Sequence, residues 1–94
     1  MATHKRRLED LVSVGPGMAR DFELLGIRSV AQLSRRSPEK LYERLSEVMG
    51  KAQDLCCLDV FRAAVAQARN PRLPMKQRQW WYWSRLRKAR DAQN

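Results

Sequence analysis

Apolar residues recur at helical spacing along almost the whole chain, and every such series ends within a few residues of a glycine or a proline. Leu8, Leu11 and Val12 form the first stripe, Met18, Phe22 and Leu25 the second, and Leu41, Leu45, Val48 and Met49 a later one. Each is the face that a short helix would bury. Ser29-Val30-Ala31-Gln32 has the form of a capping box, in which the two polar side chains satisfy each other's orphan backbone donors, and it predicts a short helix burying Val30 and Leu33. Ser37-Pro38-Glu39 supplies a cap, a proline at the first helical position and an acid that suits the helix dipole. Asp54 caps the longest and most apolar series, Cys57, Phe61, Ala64, Val65 and Ala68, which is expected at the centre of the core. No strand-period alternation of useful length competes, so the pattern predicts an all-α fold, a compact five-helix domain.

A chain of 94 residues holds one small domain with a thin core. The helical domain is expected over residues 1–69, with two short helices bracketing a glycine hairpin at about 8–25. Gly26 is placed to end the second of these helices with φ > 0, and Ile27 to pack back behind it. Asn70-Pro71-Arg72-Leu73-Pro74 breaks the last helix, so residues 70–94 are read as a proline-containing link and a tryptophan-rich, basic segment docked on the domain or trailing from it. The thin core's need for apolar area favours docking at least two of Trp80, Trp81 and Trp83.

The formal net charge of +9 is unevenly placed. Residues 10–68 carry eight basic and eight acidic side chains, whereas residues 69–94 carry eight basic side chains against Asp91 alone. A neutral body with basic ends points to a polyanion approached by those ends, most often nucleic acid, with an anionic membrane surface as the other candidate. No run of about 18 apolar residues exists to span a bilayer. The start of the chain has basic residues with no apolar stretch behind them, so no secretory leader is expected and a cytoplasmic location is.

Enzymatic constellations are largely excluded. The one histidine, His4, stands in a basic tail, and no acid–base pair forms around it. Adjacent Cys56 and Cys57 offer neither a disulfide staple nor a zinc set; they read as core thiols, with a reactive thiolate at the helix N-terminus as the alternative. No nucleotide-binding glycine motif occurs, and no sequence feature points to lyase chemistry at a lysine such as Lys40 or Lys51. Neither catalytic activity nor a cofactor nor a metal is expected.

The bend Val14-Gly15-Pro16-Gly17 is the strongest site. With Pro16 at the first helical position and Gly15 the N-cap, the amides of Gly15, Gly17, Met18 and Ala19 are read as free donors converging on one spot, with Arg20 one turn on. The glycines leave no side chain in the way of a phosphate oxygen. Arg85, Arg87, Lys88 and Arg90 form a basic cluster near aromatics that could stack on bases.

From Leu11-Val12-Ser13-Val14-Gly15-Pro16-Gly17-Met18-Ala19-Arg20 to Gly26-Ile27-Arg28-Ser29-Val30-Ala31-Gln32-Leu33, the chain resembles a helix-hairpin-helix motif with its trailing segment. The later blocks Leu41–Leu45, Cys56–Val65 and Trp80–Trp83 follow in order. Together they are similar to the small pathogenicity-locus family of bacterial helix-hairpin-helix proteins, some labelled mitomycin-resistance proteins. The resemblance implies a compact helical domain and a role in DNA binding. It carries over Val14 as the wedge of the turn into the core and the backbone donors after it. Two positions depart from the motif: Ser13 stands where the first glycine of the hairpin belongs, and Gly17 where many members have a lysine or another polar residue.

Two functions from different classes remain. The first is sequence-independent DNA binding through Gly15, Gly17, Met18 and Ala19 amides, Arg20 and the arginines and lysine at 85, 87, 88 and 90, in DNA repair or damage resistance. The second is a protein-interaction adaptor, which predicts an exposed apolar patch including Trp80 or Trp81.

Overall fold

The computed structural model describes residues 6–93, so His4 and Lys5 lie outside the described residues. Five α-helices follow in order: α1 Pro16–Leu24, α2 Val30–Ser34, α3 Pro38–Met49, α4 Leu55–Arg69 and α5 Trp80–Gln93. Two 3₁₀ turns, Leu8–Asp10 and Met75–Arg78, precede α1 and α5, and no strand occurs among the described residues.

The caps explain where the helices begin. Ser29 Oγ accepts the Gln32 amide, Ser37 Oγ the Lys40 amide, and the Asp54 carboxylate the Cys56 amide. The capping box at α2 is only half made, because Gln32 Oε1 reaches one residue further back and accepts the Arg28 amide at 2.6 Å. At the end of α1, Gly26 takes φ 77°, its amide donates to Glu23 and that of Ile27 to Phe22, the paired bonds of a left-handed glycine stop. Ile27, 1% exposed, then packs into the core.

Helix α4 is the centre of that core. One of its faces, with Phe61, Ala64, Val65 and Ala68, meets Phe22, Ile27, Val30, Leu33, Leu41 and Leu45, and the rings of Phe22 and Phe61 lie 5.8 Å apart. A second stripe, Asp59, Ala63 and Gln67, is also buried and at i, i+4, i+8 faces the C-terminal segment. Residues 70–93 therefore do not trail. After a turn at Asn70–Leu73 that buries Leu73, the chain folds back and α5 packs along α4.

Three expectations are corrected. The first stripe forms a single 3₁₀ turn rather than a helix: Asp10 accepts the Arg7 amide, and the N–H and C=O that Val12 would give to a helix are both taken by the Gln67 amide, each at 2.8 Å. Val48 and Met49 are exposed although they continue the Leu41 and Leu45 stripe; they form the last turn of α3 before Gly50, beside the equally exposed Leu55 that opens α4. Of the three tryptophans only Trp83 is half-buried, its indole N–H donating to Gln77, whereas Trp80 and Trp81 remain 40% and 37% exposed.

Candidate nucleic-acid interface

The bend before α1 is built by two neighbours of opposite character. Val14 is buried in the core cluster and fixes the turn from below. Ser13 takes φ 74°, the left-handed conformation that a non-glycine residue adopts at a cost of about 1–2 kcal/mol. Such a φ favours glycine, and here a serine holds it. What the serine adds is a tether: its hydroxyl donates to the Arg78 carbonyl at 3.2 Å and accepts the Trp80 amide at 3.1 Å. The bend is thus tied to the first residue of α5.

Gly15 is the N-cap with extended backbone and Pro16 opens the helix. The amides of Gly15, Gly17 and Met18 make no hydrogen bond among the described residues. A Cβ built at Gly15 or at Gly17 would meet nothing within 4 Å, so this side of the bend is open. Ala19 does not join them: its N–H donates to the Gly15 carbonyl at 2.9 Å, because the N-cap carbonyl accepts the amide four residues on. Three donors, not four, are left without a partner among the described residues.

The charges around those donors are mixed. Arg20 is exposed and shares a wide depression of about 830 Å³ with Pro16, Ala19, Arg28 and the carboxylates of Glu9 and Glu23. Two cations and two anions leave that side without net charge, so the excess positive charge has to come from α5. There, Lys88 and Arg90 are exposed, and the Arg85 guanidinium lies 5.0 Å over the Trp81 ring. Arg87 does not belong with them. Its Nε and Nη2 bind the fully buried Asp59 carboxylate at 3.0–3.3 Å, and that hydrogen-bonded carboxylate raises the guanidinium above arginine's already high ordinary pKa. Its charge is neutralised inside the fold.

The thiols are not activated. Partial desolvation raises the pKa of both Cys56 and Cys57, and the carboxylates of Asp54 and, for Cys57, Asp21 add to it. Cys56 is exposed and Cys57 half-buried, so neither is a fully packed core thiol.

Residues 1–89 match the model of the Pathogenicity locus family. The chain belongs to the Pathogenicity locus family. It is also similar to the mitomycin resistance protein McrB of Streptomyces lavendulae, 46% identical over 81 residues, a match covering 86% of this chain and 73% of that protein. No solved structure matches the chain.

In this Pathogenicity locus family member, the residues that assemble the site include two that sequence reasoning did not single out. Gln67, 4% exposed, holds Val12 on one side and reaches the Arg78 carbonyl at 3.4 Å on the other. Asp59 fixes α5 through Arg87. The available signal was the spacing of Asp59, Ala63 and Gln67 on one face of an otherwise apolar helix, a second buried stripe with polar ends.

Proposed function

We propose that this Pathogenicity locus family member is a cytoplasmic protein that binds the DNA phosphate backbone without reading sequence, in DNA repair or damage resistance. The observation that carries the reading is the left-handed Ser13 and its hydroxyl bond to the Trp80 amide. It fixes the bend at which the Gly15, Gly17 and Met18 amides are left without partners, and it ties the first residue of the basic helix to the same point. The binding groups are then those three amides and Arg20, with Arg85, Lys88 and Arg90 supplying long-range charge. The resistance label of the Streptomyces lavendulae relative supports the physiological half of the reading.

A salt titration on random-sequence duplex tests it. Micromolar affinity is expected at low salt, falling with a log–log slope of about −0.9 per phosphate neutralised. Gly17→Asp places a carboxylate in the open first turn, where it suits the helix dipole yet repels phosphate, so it should lower duplex affinity at least about tenfold without loss of thermal stability. Absence of micromolar binding at low salt removes the reading. A protein-interaction role is the second reading, favoured by the exposure of Trp80 and Trp81. Its mark would be a partner whose binding survives Gly17→Asp and high salt but not Trp81→Ser.

A further inference from the structure

We propose that the groove between the first turn of α3, α4 and α5 binds a mononucleotide, either free or as the phosphorylated end of a strand. The groove encloses about 350 Å³, at the small end of the range for ligand clefts. None of its lining residues belongs to the bend at Ser13–Arg20, and Arg90 is the one group it shares with the phosphate-backbone reading.

Its floor is apolar. Val65 is 1% exposed, and beside it stand Ala66, Trp83 and Leu86, the last still 46% exposed. The Trp83 indole is held in place by its bond to Gln77 and by a T-shaped contact with Tyr82, ring centre to ring centre 5.5 Å. A flat ring laid against such a fixed aromatic loses little side-chain freedom in the protein.

Its rim is cationic. Of the arginines around it, Arg62 is paired with Glu39 at 3.1 Å and Arg87 with Asp59. Arg69 and Arg90 have no acidic partner within ion-pair distance among the described residues. Arg69 is oriented by the carbonyls of Ser34 and Arg36, at 2.9 and 3.1 Å, which carry no net charge and leave its own intact. Two uncompensated guanidinium groups therefore stand over an apolar floor, one of them held in position in advance.

The ligand that fits is an anion carrying about two charges on a flat apolar body. A phosphate monoester carries about −1.5 to −2 at neutral pH, whereas a single carboxylate carries one, and guanidinium forks match phosphate oxygens in pairs. A nucleoside monophosphate joins such a phosphate to a ring that stacks on indole.

The test is an NMR titration of the whole chain, following the Trp83 indole N–H. Nucleoside 5′-monophosphates should move that resonance saturably, with inorganic phosphate and the uncharged nucleoside each at least about tenfold weaker. Arg69→Gln and Arg90→Gln should each weaken binding roughly tenfold, and Leu86→Glu, at an exposed position, should abolish it with the helical circular dichroism unchanged. A short 5′-phosphorylated strand that shifts the same resonance more tightly than the free mononucleotide identifies a strand end as the source; equal or weaker binding identifies the free nucleotide. The inference is overturned if no mononucleotide saturates by about 10 mM, if phosphate alone matches it, or if both arginine variants bind as the parent does. A strand that binds while neither it nor any mononucleotide moves the Trp83 resonance overturns it and leaves the phosphate-backbone reading in place.

Discussion

Asp59, with no solvent-exposed surface, holds the guanidinium of Arg87 by both oxygens, 28 residues further along the chain. The pair is the polar pin between α4 and α5, and it takes one cation out of a cluster that would otherwise face solvent.

A buried pair broken on one side leaves a charge without a partner, which costs about 3–5 kcal/mol. Arg87→Ala should therefore lower unfolding stability by roughly 3 kcal/mol, whereas Lys88→Gln and Arg90→Gln, at exposed positions, should change it by less than about 0.5 kcal/mol. Urea unfolding monitored by circular dichroism measures both. Equal, small losses for all three variants would mean that the pair does not pin α5. In the salt titration the order reverses: Lys88→Gln and Arg90→Gln should each reduce the slope by about one phosphate.

Ser13 carries two opposing effects that substitution separates. Ser13→Ala keeps the strained φ and deletes both hydroxyl bonds, and should destabilise the protein by about 2 kcal/mol. Ser13→Gly deletes the same bonds but relieves the left-handed strain, so it should be about 1 kcal/mol more stable than Ser13→Ala. Chemical denaturation of the two variants in parallel decides the matter; an alanine variant as stable as the glycine one would contradict the strained geometry.

The thiols give a pH dependence with a fixed sign. Both cysteines have raised pKa values in the folded chain, first through partial desolvation and then through neighbouring carboxylates. They should react slowly with a thiol-specific disulfide reagent at pH 7 and faster only above the ordinary thiol value of about 8.5. Raised thiol values also mean that their contribution to stability is complete below the unfolded pKa and is lost as pH rises through the folded one. Rapid modification of the folded protein at pH 7 would contradict this.

Much of the fold is legible in the sequence because its signals are local. The caps at Ser29, Ser37 and Asp54 and the stop at Gly26 each depend on residues within a few positions, and each is where the spacing places it. The Ala19 amide is taken by equally local geometry, since the N-cap carbonyl claims the amide four residues on. The ties that assemble the candidate site are of another kind. Gln67 to Val12 and Ser13 to Trp80 join a side chain to backbone across 55 and 67 residues, and such bonds leave no period in the sequence. Counting charges likewise placed Arg87 among the solvated cations, because the acid that neutralises it stands on a different helix.

The grip of Gln67 on Val12 and on the Arg78 carbonyl, from the last turn of the buried helix α4, makes the segments before α1 and before α5 one cooperative opening unit. Neither the hairpin arm nor the start of α5 can fray alone without stranding that amide. Hydrogen exchange at Val12 should therefore keep pace with exchange at Trp80, and anything that seizes one end should slow the other.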